Sequence, residues 1–222
     1  MWYNYMNSFY RKADLIMSDN RTILFNDNWF FKLLPIDSGY DTAVAQDISE
    51  PVEIPHDWLI FNTNDLYASG EGWYKKVFTI ENKGDLIYSI DFDGVYTDSS
   101  VYVNGEWHYG YSSFSFDITS LLKDGENVIL VQVRHKAPNS RWYSGAGIYR
   151  NVYLTKVEPI HIARDGVYIS ADGKSGEIKV SAEVIGPYDS LRHTVIDADG
   201  NTAAVSDNGL IKVDNYKLWS LE

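Results

Sequence analysis

The chain has 222 residues, 45% of them hydrophobic and 23% charged, which is the balance of a globular protein with room for one large or two small domains. Its formal net charge of −12 argues against nucleic acid or an anionic membrane surface as a partner. The absence of cysteine excludes disulfides and thiolate metal sites, and no apolar run approaches the length that spans a bilayer.

Residues 1–20 read as an N-terminal extension, in which Arg11, Lys12 and Asp14 interrupt any signal-peptide core. From there the chain is a succession of short β-type runs. The expected strands are Thr22–Phe25, Trp29–Leu34, Trp73–Ile80, Leu86–Phe92, Ser100–Val103, Glu106–Tyr109, Val128–His135, Ile148–Thr155, Val167–Ala171, Glu177–Ile185 and Leu191–Asp197. Asn104-Gly105 between two alternating runs signals a two-residue hairpin. Asn82–Asp85, Lys123–Asn127 and Asp199–Asn201 are further turns, and Phe116–Leu122 could make one helical turn capped by Asp117 or Thr119. No segment holds a long helical period, so the fold class is all-β, a sandwich or barrel. Trp29, Phe78, Phe92, Val101, Val103, Val131 and Val133 are the expected core.

Aromatics are unusually dense at 15%, with 17 Tyr and 7 Trp. Both strand-rich folds and carbohydrate-handling surfaces use them. Ser140-Arg-Trp-Tyr-Ser-Gly-Ala-Gly-Ile-Tyr-Arg150 concentrates them. Arg141, Trp142 and Tyr143 put flat stacking faces beside forked donors, the mixture that suits a sugar, and Gly145-Ala-Gly147 lets the backbone turn tightly. The alternative is a tight turn with core aromatics at a sandwich corner. His56, His108, His135, His161 and His193 lack any ligand spacing, so no metal site is expected, and no phosphate loop, nucleophile-elbow serine or other cofactor motif occurs. Pro55-His-Asp-Trp58 reads as a loop anchor in which Asp57 bonds local backbone and Trp58 packs inward. Trp73 and Trp107 read as core or sheet-face residues, and Arg150 as one half of a buried ion pair with Asp57 or Asp91.

Several segments line up in one order: Asn28-Trp-Phe-Phe-Lys32, Ile54-Pro-His-Asp-Trp58, Gly72–Phe78, Asp91-Phe-Asp-Gly-Val95, Val101-Tyr-Val-Asn-Gly105, Phe116-Asp-Ile-Thr119, Gly125-Glu-Asn127 and Ser140–Arg150. Together they resemble the N-terminal sugar-binding domain of family 2 glycoside hydrolases, the β-galactosidase and β-glucuronidase group. The resemblance implies a jelly-roll, galactose-binding-domain-like β-sandwich over residues 21–158. Residues 159–222, with Leu218-Trp-Ser220, resemble the start of an immunoglobulin-like β-sandwich, too short to be complete.

In that family a TIM barrel follows and carries two catalytic glutamates. A barrel needs about 250 residues, and the family's Asn-Glu acid/base dipeptide occurs nowhere in the chain. No catalytic residue is therefore expected here. The resemblance implies that the loop holding Arg141, Trp142 and Tyr143 reaches the barrel and helps bind a β-glycoside. Several relatives have an acid where Arg141 stands, and an Asn where this chain has Ser69, Gly70 and Glu71. The parent protein is then expected to be a bacterial, cytoplasmic β-galactosidase-like enzyme, with this part also a candidate for homo-oligomer contacts. The rival expectations are a stand-alone carbohydrate-binding module and a purely structural sandwich.

Overall fold

A computed structural model describes residues 21–61, 64, 65, 67–138 and 145–218. Two compact units divide them, one ending at Lys156 and the other beginning at Val157. The first contains β1 (Thr22–Leu24), β2 (Trp29–Leu34), a short helix α1 (Gly39–Val44), β3 (Glu50–Val52), β4 (His56–Asp57), β5 (Gly70–Ile80), β6 (Ile87–Val103), β7 (Glu106–Asp117), β8 (Gly125–His135), β9 (Gly147–Ile148) and β10 (Val152–Val157).

These strands form one curled antiparallel sheet in the order β1-β10-β6-β8-β5-β2-β3. β7 adds beside β6, and β9 bridges β4 to β6. The sheet closes on itself because β6 serves both layers. Its first half runs beside β10, and its second half, from Ser99 to Val103, pairs with β8. Between them the register against β7 slips twice, after Phe92 and after Val95, and Asp98 has φ 43°. Extra residues of this kind bend a strand and turn a sandwich corner. The two runs expected at Leu86–Phe92 and Ser100–Val103 are thus one strand. The fold is the all-β jelly-roll sandwich that the sequence leads one to expect.

Side chains that alternate along β2, β5, β6, β8 and β10 meet in one core: Trp29, Phe31, Tyr74, Ile90, Phe92, Val101, Val103, Ile129, Val131, Val133, Val152 and Leu154. Six of the seven expected core residues are fully buried. Phe78 is half-buried at its edge, where its ring meets Phe25 at 5.2 Å edge to face. The Trp29 indole donates to the Phe25 carbonyl at 2.8 Å, so its burial strands no donor. The Asn104-Gly105 turn has positive φ at both residues, 50° and 96°, which is the mirror-image turn that a two-residue hairpin needs. Asp117 accepts from the Thr119 amide, and Leu122 bonds back to Ile118, which gives the single helical turn expected there.

A smaller cluster sits on the opposite face of the sheet. Leu34, Ala43, Ile48, Trp73 and Leu130 pack under α1, with Tyr40 and Tyr102 beside them. Glu71, buried in β5, holds this helix in place. One of its carboxylate oxygens accepts from the Gly39 amide at 3.1 Å, the Trp73 indole at 3.2 Å and the Gln132 amide at 2.9 Å.

The second unit is thinner. β11 (His161–Asp172), β12 (Glu177–Ile185) and β15 (Leu210–Lys212) form one sheet, and β13 (His193–Ile196) and β14 (Thr202–Ser206) another. Along β12 the residues Ile178, Val180, Ala182 and Val184 are half-buried while their neighbours are exposed, as in a sheet with one solvated face. Ile211 is its one fully buried hydrophobic side chain among the described residues. The described residues of this unit form five strands.

Candidate functional site

Arg141, Trp142 and Tyr143 lie outside the described residues, but the backbone on both sides of them is defined. On the far side, Gly147 and Ile148 form β9 and pair with His56 and Asp57 of β4. Gly147 has φ +145°, and a Cβ there would run into the His56 carbonyl and stand 2.7 Å from the Tyr74 hydroxyl, so only glycine fits. The Ala146 carbonyl accepts from the Trp58 amide at 3.1 Å. Gly145-Ala-Gly-Ile148 is therefore a clamp that fastens the end of the loop to the Pro55-His-Asp-Trp58 anchor.

That anchor behaves as its residue types require. Asp57 is buried and one carboxylate oxygen accepts from the Leu59 and Ile60 amides at 2.8 and 3.0 Å. Trp58 stacks on Phe31 at 5.9 Å, and its ring lies so close to Gly72 that a Cβ there would be 2.5 Å away. His56 shares a 2.8 Å hydrogen bond with the Tyr74 hydroxyl. Burial pushes its imidazole below the ordinary value, against the opposite pull of Asp57 and Glu50. The Tyr74 hydroxyl also reaches the His56 carbonyl at 3.3 Å, so His56 ties β4 to β5.

On the near side the segment follows β8. The His135 ring donates to the Ala68 carbonyl at 2.9 Å, and the Ala137 amide donates to the Ser69 hydroxyl at 3.0 Å. The loop before β5 and the segment leading into residues 139–144 are thus tied together. Glu71, which the sequence places in the first of these loops, turns away from it into the α1 network described above. Exposed Phe61 and Tyr67 lie in the same stretch of chain, and sequence reasoning missed them. The apolar run Trp58-Leu-Ile-Phe61 was the available signal.

Arg150 corrects an expectation. It is exposed, 5.9 Å from the centre of the Tyr149 ring, and no carboxylate among the described residues lies within ion-pair distance. The buried acids have other partners. Asp57 serves backbone amides, and Asp91 accepts from the Ser115 and Thr155 hydroxyls. With Pro55, Asp93, Tyr149 and Asn151, Arg150 lines an open cleft of about 310 Å³. The Tyr149 and Arg150 side chains lie across Gly94, where a Cβ would stand 2.7 Å from the tyrosine ring. Among the described residues no three His, Asp or Glu side chains converge as a metal would need, and no helix is long and apolar enough to cross a membrane.

A jelly-roll presents its loops on a rigid scaffold, the arrangement in which loops often carry contacts. The family profile of the glycosyl hydrolases family 2 sugar binding domain matches residues 10–158, and the chain belongs to that family. β-Galactosidase BoGH2A of Bacteroides ovatus is 36% identical over 206 residues, which cover 81% of this chain and 24% of that protein. A β-glucuronidase of Bacteroides fragilis is 32% identical, over 75% of this chain and 26% of the relative. The crystal structure of a β-glycosidase from Bacteroides vulgatus superposes with a TM-score of 0.71 at 31% identity, over 90% of this chain and 30% of that one. The chain spans about a quarter of the length of these curated relatives.

Proposed function

We propose that this chain is the N-terminal, non-catalytic part of a retaining β-glycosidase of β-galactosidase type, and that it supplies scaffold and one wall of the sugar subsite. The observation that carries the reading is the clamping of both ends of the 139–144 segment. β9 is paired to His56 and Asp57 on one side, and the Ala68–Ser69 loop is tied to His135 and Ala137 on the other. Anchors on both sides of the segment would reduce the ordering needed for Arg141, Trp142 and Tyr143 to meet a substrate. The tyrosine and tryptophan rings would cover the C–H faces of a galactoside-type sugar, and the Arg141 fork would hydrogen-bond its hydroxyls.

Retaining hydrolysis needs two carboxyl groups about 5–5.5 Å apart across the scissile bond. These would come from a TIM barrel in the whole protein, and exposed Phe61 and Tyr67 are candidates to pack against it. A cytoplasmic location, suited to a chain without cysteine, belongs to the same reading. In the whole enzyme, Arg141→Ala is expected to lower kcat/KM for nitrophenyl β-galactoside by about tenfold or more, the value of one charged hydrogen bond, with the melting temperature nearly unchanged. A lowered melting temperature with unchanged kinetics would make the loop structural.

A further inference from the structure

We propose that the outer face of the sheet, opposite the core, is a second carbohydrate site that takes an extended glycan carrying carboxylate or sulfate groups. Its position is set by register. Lys75 pairs with Leu130, Leu130 with Tyr102, and Tyr102 with Trp107, so β5, β8, β6 and β7 contribute one row of side chains to a single face. Tyr40 of α1 lies on Tyr102 at 4.4 Å, and Trp73 backs it at 6.0 Å. Beyond the row, β7 has a strand partner on one side only among the described residues and carries Trp107, Tyr109 and Tyr111 on the same face. These are 57%, 58% and 42% exposed.

Alternate residues of a strand stand about 7 Å apart, the scale on which successive sugar rings follow one another. Three such side chains along one strand face form a contiguous exposed patch of the kind that marks a contact surface. All three present a flat ring with a polar edge, the form that stacks on sugar C–H faces and still hydrogen-bonds.

The row ends in a cleft of about 420 Å³ between α1 and the Asn104-Gly105 turn, a volume typical of small-ligand sites. Among the described residues, Lys75 and Lys123 are the only charged ones that line it. Neither ammonium group has a carboxylate within ion-pair distance among the described residues. In a chain of net charge −12, this cleft presents two cations and no acid among its described lining residues. Its rim is rigid. The Asn104 amide donates to Leu121 O and Asn127 Oδ1 at 2.8 Å each and accepts from the Val128 amide at 3.0 Å, while Asn127 holds the Lys123 amide at 3.0 Å.

Two cations beside a run of flat rings with polar edges match an acidic glycan, which brings negative charge and C–H faces together. The cationic end of the site lies at the start of β8, where Lys123 precedes the strand, and the eleven residues of β8 span roughly 35 Å from there to His135.

The test is a titration of this chain, followed by tryptophan fluorescence and calorimetry, with three oligosaccharides of equal length: an oligogalacturonate, a sulfated galactan and a neutral galactan. The expected result is saturable, salt-weakened binding of a charged glycan, with the neutral one at least about tenfold weaker. The Lys75→Gln/Lys123→Gln pair should weaken binding by about tenfold or more, and the exposed Trp107→Ala alone should weaken it as well. Preference for the galacturonate assigns a uronate ligand, and preference for the sulfated glycan assigns a sulfate ester. The proposal is overturned by no binding of either charged glycan, by equal binding of the neutral one, by binding that Trp107→Ala leaves intact, or by self-association through this face in place of glycan binding.

Discussion

Gly147→Ala is expected to destabilise the jelly-roll by about 3 kcal/mol and to lower its melting temperature by about 10 °C. Two costs add. At φ +145° an L side chain is strained, and the new methyl group meets the backbone carbonyl of His56, which cannot swing aside because it belongs to the β4–β9 pair. Gly125→Ala is the control. Gly125 also has positive φ, +89°, but open space around it, so only the conformational cost of about 1 kcal/mol applies. Thermal and urea unfolding of both variants checks the comparison. Equal, small losses would mean that the clamp yields and that the Gly145-Ala-Gly147 segment does not fix the loop.

The second large effect is a dependence on pH. Lys76 points into the core side of β5, is only 4% exposed, and donates to the Asp27 carbonyl. Its ammonium group lies 4.1 Å from the centre of the Phe25 ring and 5.6 Å from that of Trp29. Burial lowers its pKa from 10.5 to about 8, with Asp27 pulling the other way. Between about pH 8 and 10.5 the unfolded chain therefore holds a proton that the native chain has released. Stability then rises with pH across this window, because the unfolded state binds more protons. Below it the buried charge costs a constant amount, at most roughly 3 kcal/mol. The difference in unfolding free energy between wild type and Lys76→Met should shift in favour of wild type by about 2 kcal/mol from about pH 7 to pH 10.5. A flat difference would show that the two rings and the carbonyl stabilise the ammonium group as well as water does.

What was legible in the sequence was local. The Asn104-Gly105 hairpin rests on two residues that accept positive φ, and β2 and β12 fall at Trp29–Leu34 and Glu177–Ile185 as read from their alternation. What was not legible depended on distant partners. α1 has only six residues and no side-chain cap, and it forms because Glu71 holds the Gly39 amide and Tyr102 seats Tyr40. β6 looked like two strands because Gly94 and Asp98 interrupt its pattern at the corner where it changes layers. β14, Thr-Ala-Ala-Val-Ser, lacks the bulky alternation that would announce a strand.

The same divide runs through the site. Asp57 was readable as a loop anchor because its acceptors' partners are two and three residues away. Glu71 was not readable as a buried residue, since glutamate is exposed by default and its partners come from α1 and β8. Trp107, one of two tryptophans assigned by pattern to core or sheet face, is the exposed one, because nothing covers β7 on that side among the described residues.

The central claim is that this chain shapes a β-glycosidase active site without performing the chemistry. The direct measurement is turnover of nitrophenyl β-galactoside by the purified chain, produced in a host that lacks its own β-galactosidase, beside the whole enzyme under the same conditions. The account predicts hydrolysis with retention by the whole enzyme and none by the chain. Hydrolysis that co-purifies with the chain would contradict it and would require a catalytic carboxylate pair within these 222 residues.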